Sequence, residues 1–312
     1  MTANDCQNSD LFWALRGGGG GTFGVVTSVT IRTFPDVPMT TQGINITIPD
    51  TESFWSMITE FHQLIPAIDD ANGSGYYWII HGANTFIMAG FFMDKSNATI
   101  EKLFQPFLGN AKKYNGTVVS YITPAVNTSL EFYTALSGPN PNRVGSQILL
   151  SSRLISRNFL KSDDGPKRLT QVFRKLGPNQ ETVFLGHIVA GGQVAKNKDV
   201  VDSAINPSWR KALVHLVFVR GWENSASFAE QAEITRNLTD VETPILAALE
   251  PDMGAYINEA NPNEKNWQQV FWGENYQKLL EIKDKWDRTG LFTCKPCVGS
   301  EDWDMESICR IR

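Results

Sequence analysis

Five consecutive glycines, Gly17 to Gly21, set the terms on which this chain can fold. A backbone without Cβ atoms reaches positive φ and lets another group come close, but ordering five such residues costs much conformational entropy. Regular patterns flank the run. Asp10 suits an N-cap, and Leu11, Ala14 and Leu15 fall on one helical face. Beyond it, Val25, Thr27, Val29 and Ile31 alternate with Val26, Ser28, Thr30 and Arg32, the period of a strand. The expected order is helix, glycine loop, strand. Gly19-x-Gly21-x-x-Gly24 has the spacing of a dinucleotide fingerprint, but that fingerprint needs a strand before it and a helix after it. No Gly-Lys-Ser/Thr follows, which excludes a P-loop. The residues alone leave a cofactor-contacting turn and a tight structural turn equally open.

Asn8-x-Asp10-Leu-Phe-Trp-Ala-Leu-Arg16, the glycines and Phe23-Gly-Val-Val26 together form a long, specific motif. It resembles the late part of the FAD domain in berberine-bridge-enzyme-like flavin oxidases of the vanillyl-alcohol-oxidase superfamily, in a variant similar to fungal FAD-linked oxidoreductases. The resemblance implies FAD as cofactor, with Gly17, Gly18, Gly19, Gly20, Gly21, Phe23, Gly24 and Val25 lying against it. Thr2-Ala3-Asn4 resembles the end of a strand that precedes this helix in the family. The family's loop with a flavin-linking His, and its second linking Cys, have no counterpart. The expectation is a C-terminal portion lacking most of the FAD-binding domain.

The chain has 312 residues, 42% hydrophobic and 20% charged, enough for one large globular domain or two. A net charge of −5 without a basic cluster argues against a nucleic-acid partner. No apolar run approaches the length of a membrane helix. Met1 to Cys6 carries neither a basic n-region nor an apolar h-region, so no signal peptide is expected. Sequons at Asn45, Asn72, Asn97, Asn115, Asn127 and Asn237 nevertheless suggest a secreted parent protein.

Phe34-Pro35 and the connector Asp36-Val-Pro-Met mark a domain boundary. Strands are expected over 41–48, 75–80, 85–93, 116–122, 144–154, 182–189 and 212–219. Helices are expected after Asp50, over 97–114, 127–135 and 167–175, and as one long element over 227–248. Hairpins mixed with crossing helices predict an α+β fold, an antiparallel sheet with helices on one face. From Pro251, Tyr256-Ile-Asn258-Glu259, Trp267 to Tyr276 and Asp287-Arg288-Thr-Gly resemble the family's C-terminal berberine-bridge-like segment, which returns to the FAD domain. The division is then 1–35 as the end of the FAD domain, 36–249 as the substrate domain, and 250–312 as the returning segment. The FAD domain of this chain is thus partial and made from its two ends.

Tyr256-x-Asn258-Glu259 is the catalytic candidate. Relatives usually carry Tyr-x-Asn-Tyr, whose second Tyr takes the substrate's hydroxyl proton; Glu259 stands in that place. A carboxylate could do the same work if burial raised its pKa toward neutrality. Asn258, Asn275 and Tyr276 are expected on the flavin side, because amides and phenols can bond a ring edge. His62 falls on a helix, His81 beside a hairpin turn, and His187 and His215 on apolar strands, so no histidine cluster and no metal site is expected. By resemblance, His187, His215 and Trp222 face the substrate. Cys294-Lys-Pro-Cys297 has no second pair and follows no strand, so a structural disulfide among Cys6, Cys294, Cys297 and Cys309 is expected. The resemblance implies hydride transfer from a small-molecule alcohol, sugar or secondary metabolite to flavin, with molecular oxygen as acceptor. The rival reading is a remnant or binding module that holds no FAD.

Overall fold

The computed structural model describes residues 1–19, 21–137, 147–177, 182–304 and 306–311. Gly20, most of the loop after Ser137 and the first residues of the strand expected from 144 lie outside the described residues. Among the described residues, eight strands form one antiparallel sheet: β1 Met39–Thr47, β2 Gly73–Ile80, β3 Thr85–Met93, β4 Val118–Ile122, β5 Ala125–Val126, β6 Ile148–Ser156, β7 Val183–Ile188 and β8 Ala212–Gly221. The spatial order is β4-β1-β3-β2-β7-β8-β6, with β5 also on β1.

Helices cover one face, as the α+β reading requires. Asp50 accepts from the Ser53 N–H (2.8 Å) and caps the helix Thr51–Asp70. That helix buries Phe54, Met57, Ile58, Phe61, Ile65 and Ile68. With the helices Asn97–Ala111 and Gly165–Leu176 it closes over Ile46, Tyr77, Ile79, Phe86, Phe184 and Phe218 of the sheet. His62, at the centre of this layer, meets the Ile58 carbonyl through Nδ1 (2.8 Å) and the Tyr77 hydroxyl through Nε2 (2.9 Å). Burial pushes its pKa down to about 4.

The two chain ends share a second core. Leu11, Trp13, Ala14 and Phe23 meet Phe271, Trp272, Leu279, Ile282 and Val298 there. The buried Lys283 ammonium donates to the Thr22 and Phe292 carbonyls and to Asp287, each at 2.6 Å, so all three of its protons are used. Asp10 accepts from Lys285 Nζ (2.6 Å) and Trp286 Nε1 (3.3 Å). It therefore sits in the first turn of the helix Ser9–Leu15 and is not its N-cap; Asn8 holds that place in the left-handed region, φ 49°.

Two further expectations fail for identifiable reasons. Val25 to Arg32 forms no strand, and Val25, Val29 and Ile31 stand 78%, 71% and 74% exposed. Alternation creates one apolar face, but a strand's backbone groups need a neighbouring ladder, and no described strand pairs with it. The element expected over 227–248 is interrupted: helix Phe228–Asn237, a π turn Leu238–Glu242, then helix Thr243–Ala247. Pro244 offers no N–H, and its ring crowds the carbonyl four residues back, which widens the turn.

The glycine run serves the protein's own packing first. A Cβ on Gly17 (φ +141°) would lie 2.2 Å from the Ile205 amide nitrogen, and one on Gly18 would meet Ala14, Leu279 and Phe23. Gly17→Ala is expected to lower stability by about 1–3 kcal/mol or more in a urea melt, since the obstacle is backbone. A second expectation concerns acid. The folded chain holds His62 neutral while the unfolded chain protonates it, so stability is lost as pH falls from about 6.5 to about 4. That loss amounts to about 3 kcal/mol, and His62→Gln should show a flatter pH dependence of unfolding free energy over this window than the wild type.

Candidate active site

The face of the sheet turned away from the helices carries the polar cluster. Residues paired across an antiparallel ladder share a face, and the register pairs His187 of β7 with His215 of β8 and with Tyr76 of β2. Gly186, one residue before His187, belongs to the helix face. A Cβ there would lie 1.8 Å from the Tyr77 ring, so the ring occupies the glycine's vacant side. The third member arrives from the returning segment. Gly254 accepts from the Leu154 N–H of β6 (2.9 Å), and the Ala255 N–H donates to Val270 O (3.0 Å). These two bonds set the short 3₁₀ turn Ile257–Glu259 over the open face.

Glu259 Oε2 lies 3.3 Å from His187 Nδ1 and 3.3 Å from His215 Nδ1, and the two nitrogens are 3.4 Å apart. The expectation that the histidines stay apart is therefore wrong. Twenty-seven intervening residues fold back through the sheet to make them neighbours, which spacing along a chain cannot show. His215 is 1% exposed at its side chain, His187 15% and Glu259 37%, so the cluster opens toward solvent on the His187–Glu259 side. Glu259 Oε2 and His215 Nε2 are both buried without a well-aligned hydrogen bond.

The condition set for Glu259 as a base, a pKa raised by burial, is not met. The adjacent His215, helped by His187, holds its carboxyl below the ordinary value against the opposing effect of burial. Burial pushes His187 down, outweighing the attraction of Glu259, while His215 adds to the lowering. At neutral pH the cluster thus presents a carboxylate beside a neutral imidazole: a proton acceptor with an anion placed to stabilise its protonated form.

Tyr256 borders this cluster, its ring 5.6 Å from that of His215 and 5.8 Å from that of Trp209, and its hydroxyl accepts from Asn258 Nδ2 (2.6 Å). Asn275 and Tyr276 do not join it. Asn275 donates to Ile205 O (2.9 Å), and the Tyr276 hydroxyl donates to Glu301 (2.6 Å) while accepting from the Gly299 N–H. Trp222 follows the far end of β8, about 23 Å along the strand from His215 at ~3.3 Å per residue. It is no part of the cluster. Gly17 and Gly18 are covered by protein, Phe23 is core, and Gly21, Gly24 and Val25 face open space.

Several neighbours escaped the sequence reading. The Tyr76 ring is 5.1 Å from His187 and 6.2 Å from Phe91, which in turn meets Phe132 at 4.6 Å. Parity in β2 held the signal: Tyr76 and Trp78 alternate with the buried Tyr77 and Ile79. Cys294 and Cys297 form the disulfide, and Cys6 and Cys309 are free and exposed.

Residues 255–298 match the berberine and berberine-like family model. An FAD-linked oxidoreductase of Arthroderma benhamiae is 45% identical over 99% of this chain and 54% of its own length. The FAD-linked oxidoreductase easE of Epichloe festucae var. lolii is 38% identical over 99% of this chain and 51% of its own length. In fold, the VAO-type flavoprotein MtVAO713 from Myceliophthora thermophila C1 superposes with a TM-score of 0.89 at 27% identity, covering 97% of this chain and 55% of that one. The chain spans about half the length of the curated relatives it matches. Among the described residues no helix is long and apolar enough to cross a membrane.

The packing of Tyr77 on Gly186 carries its own test. Gly186→Ala is expected to displace β7, costing about 1–3 kcal/mol in denaturant unfolding, and to shift the His187 imidazole resonances more than those of His81.

Proposed function

We propose that this chain, a berberine-bridge-like relative of the FAD-linked oxidoreductases, forms the substrate-facing half of a flavin-dependent oxidoreductase. In this reading His187 and Glu259 accept the proton released as a small-molecule alcohol is oxidised. The observation that carries it is the convergence of His187, His215 and Glu259 within 3.3–3.4 Å at the open side of the sheet.

The residues fit one part of the cofactor. Tyr256 and Asn258 stand beside the cluster and offer the phenol and amide that flank a flat ring, and the buried Glu259 Oε2 lacks a partner within the protein. The glycine run does not fit the diphosphate. It follows the C-terminal end of the helix Ser9–Leu15, where the peptide dipoles point negative charge outward, and phosphates favour the opposite end. Bound FAD would supply the hydride acceptor; the glycine run would not hold its diphosphate.

The chain's own groups then have separable tasks. Neutral His187, the more exposed imidazole, takes the hydroxyl proton, and the Glu259 carboxylate stabilises the imidazolium. His215, buried behind them, fixes the orientation of both. Tyr76, Phe91 and Phe132 line the same face as His187 and suit a substrate with an apolar or aromatic body. The sugar ring of a carbohydrate could stack on them equally, and molecular oxygen is the proposed final acceptor.

In flavin-loaded enzyme containing this chain, His187→Gln is expected to slow flavin reduction about 10²–10⁴-fold. Because His187 must be neutral to act and burial lowers its pKa, the wild-type rate should fall only as pH drops below about 6.5. Stopped-flow reduction across a panel of alcohols and sugars reads both, and an unchanged rate in His187→Gln would refute the assignment.

A further inference from the structure

We propose that His187 Nδ1, His215 Nδ1 and Glu259 Oε2 together form a binding site for a divalent first-row transition metal, with Zn²⁺ the best match. The geometry leads. The three atoms make a nearly equilateral triangle with sides of 3.3, 3.3 and 3.4 Å. Zinc bonds of about 2.0–2.1 Å to nitrogen and oxygen in tetrahedral array require ligand atoms about 3.3–3.4 Å apart. The triangle is one face of that tetrahedron.

Protons satisfy this triangle poorly. A neutral imidazole offers one N–H, a carboxylate offers none, and each shared proton lies along a single edge. Glu259 Oε2 shows the consequence, since neither nitrogen 3.3 Å away gives it an aligned hydrogen bond. A cation near the centre engages all three lone pairs at once. Two imidazoles and one carboxylate are also the donor set that suits zinc, copper and nickel better than magnesium or calcium.

The supports are rigid where a metal site needs them to be. Both histidines sit on paired interior strands of the sheet, and His215 is almost wholly buried. Only the carboxylate comes from a turn, and its exposure provides the entry path. Three protein ligands leave the fourth position to water or to a substrate oxygen. Metal and proton compete for the same lone pairs, so the loaded cluster is closed to the proton-acceptor role while the metal-free cluster is open to it.

The site does not rest on the oxidoreductase reading, and its test needs neither flavin nor substrate. The chain titrated with Co²⁺ is expected to take up one ion with the intense visible bands of tetrahedral coordination, and Zn²⁺ should abolish them by displacement. Glu259→Gln and His187→Gln should each weaken uptake by more than the about 10–100-fold that an outer-shell change costs. His81→Gln, outside the cluster, should leave it unchanged. X-ray absorption of the Zn²⁺-loaded wild-type chain should show scattering from two imidazoles, which keeps the test decisive if a variant fails to fold. No stoichiometric uptake, pale octahedral spectra, or a zinc shell without imidazole would each overturn the proposal. None of those outcomes would alter the slowing expected of His187→Gln in flavin reduction.

Discussion

The Tyr77 ring lies over the bare backbone of Gly186, and its hydroxyl bonds His62 of the covering helix. This contact links three parts: helix Thr51–Asp70, β2 and β7. A side chain on Gly186 would force the strands apart, and losing the phenol would leave His62 with an unpaired nitrogen in a dry layer. Once β2 and β7 are fixed, parity does the rest. His187, the next residue, must point to the opposite face, and pairing with β8 places His215 beside it. A slip of one residue would turn both imidazoles into the core.

The third group depends on a different set of bonds. Arg153 of β6 meets Glu264 in a bidentate pair at 2.7 and 2.9 Å, with both side chains almost fully buried. It joins the backbone bonds of Gly254 and Ala255 in holding the returning segment against the sheet edge. Breaking one partner of such a pair typically costs about 3–5 kcal/mol, because the other charge stays buried alone. Lys283 plays a similar part between the two chain ends, where its ammonium is shared by the glycine loop and the segment around Asp287. The segment that carries Glu259 is therefore held by ionic contacts between residues far apart in sequence, while the imidazoles are carried by an apolar core.

Much of the architecture was legible residue by residue. Asp50 before Phe54, Met57, Ile58 and Phe61 announced a capped amphipathic helix, and the alternation of 85–93 announced a strand. Both signals are local: they follow from hydrogen bonding and side-chain direction within a few residues. Val25 to Ile31 carries the same alternation and is no strand here, because a ladder is a property of two segments and one segment cannot specify it. Tyr256 and Glu259 were recognisable from a motif. The direction of the Glu259 pKa shift was not, since it is set by imidazoles more than forty residues away.

By itself, then, the sequence determined the covering helices, most strands and the α+β class, because periodicity and capping are written within a few consecutive residues. Only the tertiary structure decided that His187, His215 and Glu259 meet, and that Gly17 and Gly18 are packed against protein. It also decided that Asn275, Tyr276 and Trp222 lie apart from the cluster. The reason is physical: a strand register and a contact between chain ends are chosen by the free energy of the whole packed sheet, and neither has a local signature in the residues that end up touching.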